Sequence, residues 1–93
     1  MYLKFFYEDA AVREILIVPI TSSTNFSFKF VKDSQTAVLK IGDNSQQTMY
    51  EFAIPDTCKD PEARFNELMS IINLRREYTS RIIDLDKFFN KPV

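Results

Sequence analysis

The chain has 93 residues, is 45% hydrophobic with nine Phe and four Tyr, and carries a formal net charge of −1. That is enough apolar material for one small domain. A single Gly and only four Pro argue against Gly-rich phosphate loops and against disorder. With no His and one Cys, Ser-His and Cys-His nucleophile pairs, imidazole metal ligands, a one-chain structural zinc site and an intrachain disulfide framework are all excluded.

Five strands are expected in succession. Tyr2 to Tyr7 alternates, with Leu3 and Phe5 on one face. Val12 to Ile20 is almost continuously apolar, as in a strand covered on both faces, with Ile15 and Ile17 assigned to the core. Phe26 to Val31 has the cleanest period of two, placing Phe26, Phe28 and Phe30 inward. Ala37 to Ile41 follows with Leu39 and Ile41 inward, then Thr48 to Ile54 with Tyr50 and Phe52 inward. The polar connections are short, which favours antiparallel hairpins. Gly42 stands where the turn before the last strand is expected to use a positive φ.

At Asp60-Pro61 the hydrophobic period changes from two to that of a helix. Asp60 can cap, Pro61 suits the first helical position, and Glu62 complements the dipole. Phe65, Leu68, Met69 and Ile72 make the face that covers a sheet. No glycine marks an end before Pro92. A helix from Pro61 to about Tyr78 matches the width of a sheet, one continuing to Asn90 overhangs it or folds back, and the helical segment as a whole is expected over 60–90. Leu68, Ile71, Arg75, Tyr78, Ile82, Leu85 and Phe89 recur at the 3-4 spacing of a coiled-coil seam, interrupted only by Arg75.

The fold class expected is therefore α+β. An antiparallel β-meander of about five strands (1–55) is followed by a C-terminal amphipathic helix on one face (60–90), all within a single domain, 1–93.

Little in the chain carries chemistry. Cys58 precedes a helix start, where a dipole can activate a thiol, but a small buried residue in a connection is the simpler reading. Asp84-Leu85-Asp86 and Asp43-Asn44-Ser45 hold carboxylates that read as helix-end and turn chemistry before metal binding. No catalytic residue, cofactor site or metal site is assigned, and no enzyme activity is expected.

Two surfaces remain. The tail side chains Ile82, Leu85, Phe88 and Phe89, with the outward Tyr2, Phe6, Val38 and Met49, exceed what one sheet–helix contact needs, and surplus apolar surface marks contacts. The tail residues, joined by Arg75 and Tyr78 of the seam, are the expected protein interface. They suggest a non-enzymatic protein-interaction module: a small homodimeric binding, inhibitory or regulatory protein, or a subunit of a larger assembly. The outward side of the strands is expected to present Tyr2, Lys4, Phe6, Lys29, Val31, Val38, Lys40, Met49 and Glu51. Lysines among aromatics resemble in kind the platforms that stack unpaired bases. The alternative is therefore single-stranded nucleic-acid binding through Tyr2, Lys4, Phe6, Lys29 and Lys40. Charge speaks against it, because basic and acidic groups balance in both halves of the chain. With no secretory leader pattern in the first residues and no apolar run of bilayer length, a cytoplasmic location and no membrane partner are expected.

Overall fold

Alternating apolar residues make strands, and five strands follow one another through Ile54 in the computed structural model, which describes residues 1–8, 10–75 and 81–90. They are β1 (Tyr2–Glu8), β2 (Arg13–Pro19), β3 (Thr24–Val31), β4 (Thr36–Asp43) and β5 (Thr48–Ile54), followed by helix α1 (Pro61–Arg75). A three-residue strand β6 (Ile82–Asp84) and a short helix α2 (Leu85–Asn90) complete the described chain. The architecture is α+β, with antiparallel hairpins at β1–β2 and through β3–β4–β5.

The strands divide between two sheets. The first has the order β2-β1-β6, with β6 parallel to β1; the second is the meander β3-β4-β5. Both sheets, α1 and α2 share one core, which includes Leu3, Phe5, Val18, Leu39, Ile41, Phe52, Leu68, Ile72, Leu85 and Phe89. Phe65 stacks against Phe28 at 5.5 Å between ring centroids and so ties α1 to the second sheet.

Register decides which face of β2 is buried. Residues directly opposite in an antiparallel ladder share a face. Leu3 pairs with Val18 and Phe5 with Leu16, so Val18 is buried and Leu16 half-buried beneath the sheet. Ile15 and Ile17 then point outward and are 54% and 55% exposed, correcting their assignment to the core. An unbroken apolar run does not reveal its own parity; the partner strand does. Phe30 keeps its expected parity, but it lies near the end of edge strand β3 and is 43% exposed.

The hairpins solve their turns without glycine. Val31 pairs with Thr36 and Asp43 with Thr48, so each loop has four residues, and in each the last is a Gln in the left-handed region: Gln35 (φ 55°) and Gln47 (φ 53°). Gly42 lies within β4 and has no positive φ, contrary to expectation. Its missing side chain serves a different purpose. A Cβ there would sit 2.7 Å from Oδ1 of Asn25, its register partner, whose amide donates to Asn44 Oδ1 at 3.1 Å.

Asp60 caps α1 as its sequence position implies: its Oδ1 accepts from the Ala63 amide at 3.1 Å, and its carbonyl from the Arg64 amide at 3.1 Å. The helix is described over 15 residues, Pro61–Arg75, about 22 Å. The expectation of a helical segment through 60–90 is corrected at Ile82–Asp84, which form a strand against Tyr2–Lys4. A parallel partner strand needs a crossover, and α1 lies within the one that leads to β6. The coiled-coil seam therefore does not exist as one helical stripe. Tyr78, with neighbouring Arg76 and Glu77, lies outside the described residues.

Candidate functional site

The outer face of the first sheet collects five of the nine large apolar side chains exposed among the described residues. Because β1 sits between β2 and β6, its outward residues Tyr2 and Lys4 are flanked on both sides, and Phe6 by β2 alone. Phe6 pairs with Ile15, Lys4 with Ile17 and Asp84, and Tyr2 with Pro19 and Ile82. Tyr2 is 38% exposed, Phe6 44% and Ile82 54%, beside Ile15 and Ile17. Across the middle run two charges of opposite sign, both half-buried: Lys4 and its register partner Asp84. At the far end the Arg13 guanidinium lies 5.0 Å from the centre of the Phe6 ring, a cation–π contact that borders the apolar patch.

The same carboxylates that sequence reading set aside as metal ligands hold this face in place. Asp84 Oδ1 accepts from the Lys87 amide at 3.3 Å and starts α2. Asp86 Oδ2 accepts from the Phe6 amide at 3.1 Å, beyond the last β6 residue, and so occupies the edge of β1 where no strand pairs with it. The Tyr2 amide donates to the Arg81 carbonyl at 2.8 Å. Beside Ile82, a shallow cleft of about 560 Å³ is bounded by Arg81, Lys87 and Phe88.

Of the tail residues whose side chains are described, Ile82 alone is exposed, and Phe88 is half-buried beside the cleft. Leu85 and Phe89, expected on a contact surface, are 0% and 1% exposed in the chain's own core. The surplus that they were to supply comes instead from Ile15 and Ile17. Arg75 is the last residue described in α1.

The lysine–aromatic residues are separated. Tyr2, Lys4 and Phe6 share the outer face of the first sheet, whereas Lys29 and Lys40 belong to the second. There Lys29 pairs with Val38, and Lys40 with Ser27 and Glu51. Lys40 Nζ lies 3.9 Å from Glu51 Oε1. On this second outer face Val31 and Val38 are half-buried, and Met49, opposite Gly42, is 60% exposed.

The remaining candidates have local roles. Cys58 is half-buried against the core, its amide donating to the Pro55 carbonyl at 3.0 Å. It lines a cleft of about 500 Å³ with Phe30, Ala37, Ile54 and Pro61. Asp43 accepts from the Ser45 hydroxyl at 2.7 Å and the Ser45 amide at 2.9 Å. These bonds, the hydroxyl first, hold its carboxyl below the usual value. Among the described residues no three His, Cys, Asp or Glu groups gather as a metal site, and no helix is long and apolar enough to cross a membrane. Comparison with protein-family models, with curated proteins and with solved structures finds no match.

Proposed function

We propose that this chain is a non-enzymatic protein-interaction module, a small binding, inhibitory or regulatory protein or assembly subunit, and that it docks through the outer face of the β2-β1-β6 sheet. The observation that carries this reading is the cluster of Tyr2, Phe6, Ile15, Ile17 and Ile82, all exposed on neighbouring positions of one sheet face. Scattered exposed apolar residues are ordinary on any surface, but a contiguous patch framed by polar groups marks a contact. Arg13 and the Lys4–Asp84 pair supply that frame and interruption here.

The test is recovery of bound protein from the cell that makes the chain, with wild type, Ile17→Lys and Lys29→Glu side by side. Ile17→Lys should fold normally and lose the bound protein; Lys29→Glu, on the other sheet, should keep it. Equal recovery by all three removes the reading.

Single-stranded nucleic-acid binding stands second. It draws support from Tyr2, Lys4, Phe6 and Arg13 on one sheet, aromatic surface beside positive charge. It is weaker because Lys29 and Lys40 sit apart from those aromatics and Asp84 lies beside Lys4. Binding of unpaired oligonucleotides that falls steeply with salt, and disappears in Lys4→Gln, would promote it.

A further inference from the structure

We infer that the occupant of the outer β2-β1-β6 face is a second copy of this chain, packed sheet on sheet about a two-fold axis. The inference rests on the docking reading above and names its partner. Two observations select it: the amount of apolar surface and its charge.

At their observed exposures, Tyr2, Phe6, Ile15, Ile17 and Ile82 offer on the order of 450 Å² of accessible side-chain surface per copy. Two copies bring about 900 Å². A homodimer within the standard range, burying about 1,400 Å² at about two-thirds apolar, needs about that much. The face is therefore matched in size by its own duplicate. Sheets also stack readily at about 10 Å, and the flanking β-branched side chains of β2 suit interdigitation.

Charge points the same way. The charged residues in the middle of the face, Lys4 and Asp84, are opposite in sign and adjacent in register. A nucleic acid calls for a positive excess, and a strongly charged protein partner for a surface of one sign. The middle of the face, with one charge of each sign and Arg13 only at its far end, meets a copy of itself without a like-charge penalty there, because a two-fold axis allows each lysine to approach the other copy's aspartate.

The experiment is charge-swap complementation read by light scattering during size exclusion. One variant carries Ile15→Lys and Ile17→Lys, the other Ile15→Glu and Ile17→Glu. Both positions are outward, so the core is untouched. The wild type should run at twice 10.9 kDa, each variant alone at 10.9 kDa, and their equimolar mixture at twice that mass again. A wild type that is monomeric up to roughly 100 μM, variants that remain dimeric, or a mixture that stays monomeric overturns the inference. Should a double variant fail to fold, the wild-type mass still decides association, and Ile17→Lys alone locates it. A monomeric wild type that still recovers a different protein through Ile17 overturns the second copy while leaving the docking reading in place. Loss of both removes both.

Discussion

Phe5 of β1 meets Phe52 of β5 edge to face across the two sheets, with ring centroids 6.0 Å apart and planes inclined by 73°. The same Phe5 ring contacts Tyr50 at 6.1 Å, and Phe52 continues to Phe89 of α2 at 5.6 Å. Sheets that share no hydrogen-bonded strand pair are thus joined by aromatic packing at their centre.

That contact should be measurable as a coupling. Phe5→Leu and Phe52→Leu should each destabilise the fold, and the pair should lose less than the sum. The coupling expected is about 0.5–1.5 kcal/mol, the excess that aromatic pairs show over area burial. Urea unfolding of the four proteins in the cycle measures it. Strict additivity would mean that the rings contribute only through burial.

Leu85 and Ile82 lie three positions apart and should respond in opposite ways. Leu85 is fully buried and Ile82 is outward. Leu85→Ala should cost about 2–5 kcal/mol, much of the stability of a domain this size. Ile82→Ser should stay within about 0.5 kcal/mol. Thermal melts of the two variants, taken at low concentration, report the contrast. Similar losses at both sites would place Ile82 in the core as well.

Gly42 is needed for space and not for backbone freedom. Gly42→Ala pushes a Cβ against the Asn25 amide, which must leave Asn44. The expected cost is about 1 kcal/mol, the net value of one exposed hydrogen bond with some local strain. Asn25→Ala in the same chain should abolish the extra cost of the alanine. If Gly42→Ala is equally harmful with Asn25 removed, the steric explanation is wrong.

The β4–β5 turn should weaken in acid. Asp43's carboxyl is held below its ordinary value of 3.8 by the Ser45 hydroxyl and by the backbone of Ser45 and Gln46. A carboxyl lowered in the folded state contributes stability above its unfolded pKa, and loses it as pH falls through the folded one. The loss should therefore begin near pH 3.8 and continue below it. Ser45→Ala should move the Asp43 titration upward, seen as a carboxyl chemical-shift curve by NMR. An unchanged midpoint would deny the hydroxyl its role.

The elements that local sequence decides were legible. Strict alternation placed Phe26, Phe28, Leu39, Ile41 and Phe52 inward, and Asp60-Pro61 marked the start of α1. What depended on distant partners was not. The face of β2 is chosen by its register with β1, and Ile82–Asp84 become a strand because β1 offers an edge there. In isolation both segments fit a different reading. A buried strand and an exposed apolar one are equally apolar, and IIDLDKFF keeps helical spacing whether or not its first residues pair with a sheet. The candidate site was therefore half visible: Tyr2, Lys4, Phe6 and Ile82 were singled out, but Ile15 and Ile17 were assigned to the core. The clue available was the length of the β2 apolar run, which one buried face cannot absorb.

The most direct test of the outer β2-β1-β6 face as the contact surface is photo-crosslinking from within it. A photoreactive residue is placed at Ile17 and, as control, at Lys29, and each protein is irradiated in the cell that makes it. Covalent protein adducts from position 17 and none from position 29 are the expected result. Adducts from position 29 alone, or equal labelling from both, would contradict the assignment of that face.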